Sequence, residues 1–245
     1  MTGDISWIDG EAGARRTFRY FDFMMAAFVT ILLLSNVIGA AKQAQLTLPL
    51  VGTITFGAGV LFFPVGYVLG DVLTEVYGYA RARRCIWAGT AALLFMAIMA
   101  MVVVALPPAP DWTGQAAYDQ VFGQVPRIVF ASILAFWAGE FANSLVLAKM
   151  KIWTEGRHLW TRTIGSTVVG QGVDSLIFYP LAFWGAVGWT NDLVIKVLIT
   201  QWVLKVSWEA LLTPATYAVV GFLKGREGVD VYDERTDFSP FHAKI

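Results

Sequence analysis

Six long blocks of apolar residues constrain this chain of 245 residues more than any other feature of its sequence. A helix needs roughly 20 apolar residues to cross a hydrocarbon core of about 30 Å. The composition agrees with a location in the bilayer, because 57% of the residues are hydrophobic and only 15% are charged. We therefore predict an all-α membrane protein, a single domain with six transmembrane helices. The predicted spans are approximately 20–41, 57–79, 85–106, 126–148, 166–188 and 193–222.

Lysine and arginine are concentrated in alternate connections between these blocks. Cytoplasmic loops retain such residues during membrane insertion. The other connections, on the opposite side of the membrane, hold only Lys42, Arg127 and Lys196. Both termini are therefore predicted to be cytoplasmic, as an even number of spans requires, and residues 223–245 form a cytoplasmic tail. The positive residues on the rich side are Arg15, Arg16, Arg19, Arg81, Arg83, Arg84, Lys149, Lys151, Arg157, Arg162, Lys224, Arg226, Arg235 and Lys244.

Two connections have patterns of their own. Residues 43–56 alternate polar and apolar side chains around Pro49 and Gly52, which favours a short β-hairpin on the outer face over a bare loop. Residues 106–126 begin with a Pro-rich stretch and become amphipathic. That second connection either covers the outer entrance or is a solvated connector.

Polar side chains interrupt four of the blocks at helical spacing. Within each block they are three or four residues apart, so each helix presents them on one side. A charged group near the bilayer centre costs about 2.5–3.5 kcal/mol, so each is a functional candidate. At about 1.5 Å per residue, one carboxylate from each block falls within roughly 6 Å of the midplane. The set is Asp71 and Glu75, Glu140 and Asn143, Gln171 and Asp174, and Gln201, Lys205 and Glu209.

A shared layer of this kind is typical of a ligand-filled cavity in a carrier, because lipid-facing positions would leave the groups without partners. The alternative is that the same groups, with small residues such as Gly170 and Ser175, only hold helices together. Similar small-residue runs permit packing within one chain or between two, which leaves a homodimer open.

Catalysis is the competing class of function. The two histidines, His158 and His242, fall outside the blocks, and no H-E-x-x-H motif or phosphate-binding P-loop occurs. The single cysteine, Cys85, excludes an internal disulfide and multi-cysteine metal sites. An aspartyl dyad of Asp71 and Asp174 stays open on spacing alone, but the Gly-rich signatures of aspartyl proteases are missing. We expect no enzyme activity, cofactor, metal or nucleic-acid partner.

Several motifs together resemble the bacterial queuosine precursor transporter family, part of the vitamin uptake transporter group. The likeness covers about residues 20–241. GD-x-x-TE-x-YG and GQG-x-DS, in this order, are its most specific elements. The carrying segments are SN at 35–36 with Lys42, FPVGYVLGDVLTEVYGYARARRCIW at 63–87, GEFANS at 139–144, KMKIWTEGRHLWTRTIGST at 149–167, GQGVDSLIF at 170–178, TPATY at 213–217 and VYDERTDFSPF at 231–241.

The resemblance implies a multi-pass importer of 7-deazaguanine bases such as preQ0 and preQ1 in the bacterial inner membrane. It also implies a six-helix fold like the substrate-binding components of energy-coupling-factor transporters. Two mechanisms remain open: a stand-alone carrier, or a binding subunit that needs a separate energising complex. Proton coupling and facilitated diffusion are equally consistent with the sequence. The positions that match the family pattern are Asn36, Asp71, Glu75, Tyr77, Glu140, Asn143, Gln171, Asp174 and Glu209.

The chemistry of a deazaguanine base agrees with these side chains. One carboxylate, from Glu140 or Asp174, can accept the ring N–H and the exocyclic amine as a pair, while the base carbonyl needs a donor. Asn143, Gln171 or Lys205 can supply that donor, which adds Lys205 to the predicted site. The flat ring favours an aromatic platform, for which the candidates are Trp137, Phe178, Trp202 and Trp208.

Asp71 and Glu75 are predicted to line the cytoplasmic half of the pathway. The arginines that follow, Arg81, Arg83 and Arg84, are predicted to anchor the topology and to offer Glu75 a gate partner. The competing interpretation is that Glu75 forms a purely structural ion pair with that arginine cluster.

Overall fold

The computed structural model describes residues 18–39, 43–48, 52–57, 61–123, 126–186 and 189–242. Four of the positive residues behind the predicted orientation, Arg15, Arg16, Lys42 and Lys244, lie outside these ranges. The helices are α1 (Phe21–Leu34), α2 (Phe63–Tyr77), α3 (Tyr79–Ala105), α4 (Gln115–Phe122), α5 (Pro126–Trp153), α6 (Leu159–Phe183) and α7 (Asn191–Glu227).

A π-helical turn and a hairpin connect α1 to α2. The π-helical turn covers Ser35–Gly39. Strand β1 (Gln43–Leu48) then pairs antiparallel with β2 (Gly52–Gly57). The alternating stretch is thus a hairpin and not a bare loop. The predicted start of the second span at residue 57 is wrong, because that residue ends β2 and α2 begins at Phe63.

Helices α2 and α3 are separated by Gly78 alone. Its φ of 84° lies where side chains with a Cβ are strained, and an added Cβ would come within 2.6 Å of Val231 Cγ1. Both facts require glycine at this sharp junction. Helix α3 therefore begins before residue 85, the predicted start of the third span, and Arg81 and Arg83 lie in its first turns.

The long helices alternate in direction, which brings both described ends of the chain together. Near the start of α1, the backbone N–H of Tyr20 donates to Glu227 at the end of α7, with 2.7 Å between N and Oε1. Arg162, near the start of α6, pairs with Glu75 near the end of α2. We call this the tail end of the bundle and the opposite one the hairpin end. Helix α2 is central, because it packs against α1, α3, α5 and α7.

Four stretches of the described chain are long and apolar enough to cross a membrane. They are Phe21–Ile38, Tyr79–Ala105, Gln115–Trp153 and Asn191–Glu227. The predicted spans that contain α2 and α6 are not among these four stretches, because neither helix is both long enough and apolar enough. Helix α2 has 15 residues and is fully buried from Gly70 to Tyr77, so it lies mainly against protein. Helix α6 carries the polar side chains of GQG-x-DS.

The distribution of polarity is that of a protein in lipid. Large apolar side chains such as Phe95, Phe130 and Leu211 are about two-thirds exposed. Charged side chains such as Asp71, Glu75 and Glu209 are completely buried. An apolar exterior around a polar interior is stable only where the surroundings are apolar, so the chain is a membrane protein.

Candidate functional site

Three glycines bring α2, α5 and α6 into close contact. A Cβ added at Gly170 would lie 2.6 Å from the Cβ of Asn143, and one at Gly139 would lie 2.9 Å from the Cβ of Asp174. A Cβ at Gly70 would lie 3.0 Å from Glu140 Oε2. Small residues at such crossings let membrane helices approach closely. In each motif, GD, GE and GQ, the glycine thus makes room for the polar side chains around it.

The helices meet around a set of polar side chains that we call the polar layer. Asn143 Nδ2 donates to Asp71 Oδ1 at 2.7 Å. Lys205 pairs with Asp174. The carboxylate of Glu140 lies close enough to those of Asp174 and Glu209 for like-charge repulsion, and so does that of Asp71 to those of Glu140 and Glu209. The polar layer therefore joins four helices in one cluster: Asp71 on α2, Glu140 and Asn143 on α5, Asp174 on α6, and Lys205 and Glu209 on α7, with Gln171 next to Gly170 at the crossing of α5 and α6.

Many buried atoms of the polar layer have no hydrogen-bond partner within the described part of the chain. Neither carboxylate oxygen of Glu209 has one. Each such buried group normally finds a partner, since leaving it without one costs about 1–3 kcal/mol. The other unpartnered atoms beside or within the layer are Asp71 Oδ2, Glu140 Oε2, Asn143 Oδ1, Gln171 Oε1 and Ser175 Oγ. The polar layer therefore keeps hydrogen-bonding capacity that the described side chains do not fill.

Two aromatic residues outside the predicted site stand beside the layer. The rings of Phe63 and Tyr67 are nearly parallel, with centroids 6.3 Å apart. The Lys205 ammonium lies 5.6 Å from the Phe63 ring centroid, and Tyr67 interacts electrostatically with Glu140, Asp174 and Glu209. Their signal in the sequence is a spacing of four, because Phe63, Tyr67, Asp71 and Glu75 follow one another on one side of α2.

Glu75 lies one turn beyond Asp71 and belongs to a different cluster. Arg162 binds its carboxylate with two hydrogen bonds, 2.8 Å from Nε to Oε2 and 2.9 Å from Nη2 to Oε1. Lys224 Nζ lies 2.6 Å from Oε1, and Lys151 Nζ donates to the Glu75 backbone oxygen at 2.7 Å. Both lysines also contact Asp230. We call Glu75, Lys151, Arg162, Lys224 and Asp230 the tail-end cluster.

The arginine partner predicted for Glu75 is corrected by this geometry. Arg81 donates to the Tyr77 backbone oxygen, and Arg83 donates to the backbone oxygens of Asp237 and Ser239. Glu75 pairs instead with Arg162 in the first turn of α6, a helix that no spacing rule links to α2. Both of its carboxylate oxygens have cationic partners, and its place along a substrate pathway stays a prediction.

The C-terminal tail folds back along the start of α3. Asp233 accepts from the Tyr79 backbone N–H at 3.0 Å, where the first turn of a helix lacks an internal partner. Tyr79 Oη donates to the Phe238 oxygen, and Trp87 Nε1 donates to the Pro240 oxygen. The tail is thereby fixed to α3, and through Asp230 it is joined to the tail-end cluster.

Two predicted site residues lie apart from the polar layer. Tyr77 packs against Phe18 and Phe21, and its hydroxyl donates to Glu227 at 3.1 Å. Asn36 donates to the Leu32 backbone oxygen at 2.9 Å and borders a mainly apolar cavity of about 270 Å³ between α3, α4 and α5. The structure therefore brings together seven of the ten predicted positions, and Glu75, Tyr77 and Asn36 lie elsewhere.

The predicted aromatic candidates also lie in other contacts. Trp137 packs with Trp87, Phe141 and Phe241, and Trp202 Nε1 donates to the Val168 backbone oxygen. Phe178 contacts the rings of Tyr179 and Phe183. The groups of three or more histidine, cysteine and acidic side chains that a metal needs do not occur among the described residues.

A membrane-embedded bundle with a buried polar cluster between its helices is an architecture that small-molecule transporters use. Comparisons with known proteins give the family. Residues 57–219 match the family model described as "Putative vitamin uptake transporter". No solved structure matches the chain.

Two named relatives are similar over much of their length. A protein of Bacillus subtilis (strain 168) named "Probable queuosine precursor transporter" is 30% identical over 197 residues, 80% of this chain and 82% of the relative. The "Queuosine precursor transporter" of Escherichia coli (strain K12) is 27% identical over 126 residues, 51% of this chain and 54% of the relative. The chain belongs to the queuosine precursor transporter family.

Proposed function

We propose that this protein imports 7-deazaguanine precursors of queuosine, bases of the preQ0 and preQ1 kind, through the polar layer. The observation that carries the proposal is the set of buried, unpartnered acceptors contributed by α2, α5, α6 and α7. A deazaguanine presents ring and exocyclic N–H groups that such acceptors can bind. The names of the two relatives support the same substrate class.

Within the polar layer, Glu140 is the proposed acceptor for the ring N–H and the exocyclic amine. Its Oε2 is buried and unpartnered. Lys205 and the Gln171 amide are the proposed donors to the base carbonyl. Phe63 and Tyr67 stand where an aromatic surface can contact the ring. No residue in this arrangement is assigned a catalytic role.

We also propose that α1, α2, α3, α5, α6 and α7 cross the bacterial inner membrane with both termini in the cytoplasm. Arg162, Lys151 and Lys224 all lie at the tail end, which agrees with the rule that positive residues stay on the cytoplasmic side. The hairpin then faces the outside. The likeness to energy-coupling-factor binding components stays a prediction.

The test is uptake of labelled preQ0 and preQ1 into vesicles that contain only this chain, together with direct binding in detergent. Wild type is compared with Glu140→Gln and with Glu234→Gln, a matched charge removal on an exposed tail residue. We expect uptake by wild type and by Glu234→Gln. Binding by Glu140→Gln should weaken by about 1.5–3 kcal/mol, the scale of a hydrogen bond to a charged group.

Each other outcome has a definite meaning. Tight binding without uptake in vesicles would contradict a stand-alone carrier and support the alternative, a binding subunit that needs an energising complex. Failure of both bases to bind a well-folded wild type would overturn the proposed substrate class. If Glu234→Gln weakened binding as much as Glu140→Gln does, the polar layer would not be the binding site.

A further inference from the structure

The unpartnered atoms of the polar layer share one chemical property. Among the described residues, those of Asp71, Glu140, Asn143, Gln171 and Glu209 are all oxygens that can accept hydrogen bonds. The Ser175 hydroxyl can accept or donate, and the one unpartnered donor, Trp137 Nε1, lies among aromatic rings. Ionised carboxylates can only accept, so in that form the free hydrogen-bonding capacity of the site calls for a ligand rich in donors.

The charges of the layer point in the same direction. Lys205 is already paired with Asp174, and in the described ranges no lysine or arginine forms an ion pair with Asp71, Glu140 or Glu209. The titratable groups that interact electrostatically within this layer are Tyr67 and Asp71 from α2, Glu140 from α5, Asp174 and Tyr179 from α6, and Lys205 and Glu209 from α7. Glu75, one turn from Asp71, is paired with the cations of the tail-end cluster. Several carboxylates in an apolar surrounding are stabilised by an added positive charge.

Glu209 differs from the other two unpaired carboxylates. Asp71 uses one oxygen to accept from Asn143, and in the Glu140 carboxylate only Oε2 is a buried unpartnered atom among the described residues. Glu209 is completely buried and has both oxygens unpartnered. It can therefore receive an ammonium group with both oxygens while another carboxylate holds the base edge.

We propose that the polar layer selects a deazaguanine with a positively charged side arm over a neutral one, with Glu209 as the carboxylate that binds the ammonium group. This inference rests on the proposed function. The aminomethyl group of preQ1 is an ammonium with three donors. The nitrile group of preQ0 is uncharged and only accepts hydrogen bonds. Among these oxygens, neither the nitrile nitrogen nor the protein oxygens would gain a hydrogen-bond donor.

The experiment measures dissociation constants of three ligands for the purified full-length protein. The ligands are preQ1, preQ0 and 7-methyl-7-deazaguanine, which keeps the ring and lacks the ammonium. For wild type we expect preQ1 to bind about 10-fold to 100-fold more tightly than the other two, the effect of one hydrogen bond to a charged group. Because this comparison uses wild type, it does not depend on any variant being stable.

Two variants assign the selectivity to a residue. Glu209→Gln should bring the three affinities within about threefold of one another, a difference below about 0.7 kcal/mol. Glu140→Gln should weaken all three ligands and keep the preference for preQ1. Size-exclusion elution and thermal unfolding check that each variant is folded.

The results separate this inference from the proposed function. Equal binding of the three ligands by wild type would overturn the selectivity and leave the deazaguanine site standing. A preference that survives in Glu209→Gln would overturn the role of Glu209. If none of the three binds to wild type, the proposed function itself fails, and the inference fails with it.

Discussion

Asp71 and Glu75 lie one helical turn apart on α2, and both are completely buried, yet their surroundings differ. Glu75 is held by Arg162, Lys224 and Lys151. Asp71 has a single amide partner and a second oxygen that is unpartnered among the described residues. Burial of charge therefore does not by itself identify a binding site. The two residues differ in how many hydrogen-bonding partners the protein gives them. A binding site without its ligand must leave part of its hydrogen-bonding capacity free.

The largest effect should come from breaking the tail-end cluster. Replacing Arg162 with methionine removes both hydrogen bonds to Glu75 and leaves that buried carboxylate with the two lysines. Breaking a buried ion pair by removing one partner costs about 3–5 kcal/mol. We expect the free energy of unfolding of Arg162→Met to fall by this amount, as measured by denaturant titration in mixed micelles.

The matched variant in the polar layer is Glu209→Gln. Its carboxylate has no partner to lose within the described chain, so the amide should leave the free energy of unfolding unchanged or raise it. A loss of stability in Glu209→Gln as large as in Arg162→Met would contradict the distinction between the two clusters. A double variant, Glu75→Gln with Arg162→Met, should recover part of the loss.

The next effect concerns the glycines that let α5 and α6 approach. In Gly170→Ala the new Cβ would meet the Asn143 Cβ at 2.6 Å and the Gly139 backbone oxygen at 2.9 Å. Overpacking of this kind costs about 1–3 kcal/mol and would displace Asn143 from Asp71. We expect lower thermal stability together with weaker binding of deazaguanines.

Gly221 on α7 is the control for that substitution. Nothing lies within 4 Å of a Cβ placed there, so Gly221→Ala tests helix propensity alone and should leave stability equal or slightly higher. If the two alanine variants unfold at the same temperature, the close crossing of α5 and α6 is not what positions the polar layer.

The sequence was most informative where a pattern is periodic. Apolar blocks located the long helices, alternation located the hairpin, and spacings of three and four placed seven polar side chains on the sides of α2, α5, α6 and α7 that meet. Pairing across helices has no such period. Proximity in sequence predicts the arginines after α2 as partners of Glu75, whereas Arg162 pairs with it from α6.

Features built from single residues or backbone groups were also missed. Gly78 alone separates two apolar helices, and its positive φ leaves no mark in hydropathy. The tail binds α3 partly through the backbone oxygens of Asp237, Ser239 and Pro240, which any residue type could provide. A spacing rule detects side chains on one element and not the backbone of another.

A smaller effect is expected at Tyr77, which the family resemblance places in the functional set and the structure places among packing contacts. Tyr77→Phe keeps the ring contacts with Phe18 and Phe21 and removes the hydrogen bond to Glu227. We expect the free energy of unfolding to fall by about 1 kcal/mol. Weaker binding of deazaguanines at unchanged stability would instead assign Tyr77 to the binding site.

The smallest effect should arise at Asp230, where the tail joins the tail-end cluster. Its side chain is 42% exposed, so solvent screens its pairs with Lys151 and Lys224. Partial burial raises the pKa of Asp230, but the hydrogen bonds from the two lysines lower it by more. The pKa therefore lies below its ordinary value. We expect Asp230→Asn to cost less than about 1 kcal/mol at pH 7.

The sign of the pH dependence follows from that lowered pKa. A carboxyl with a lower pKa in the folded state stabilises the fold above its unfolded pKa of about 3.9, and this contribution is lost as the pH falls through the folded value. The difference in unfolding free energy between wild type and Asp230→Asn should therefore be constant from pH 7 to about 5 and shrink below about pH 4. Unfolding measured at pH 7, 5 and 3 tests this. A difference that persists undiminished at pH 3 would mean that the Asp230 charge does not hold the tail to the lysines, and that Glu75 and Arg162 stabilise this end without it.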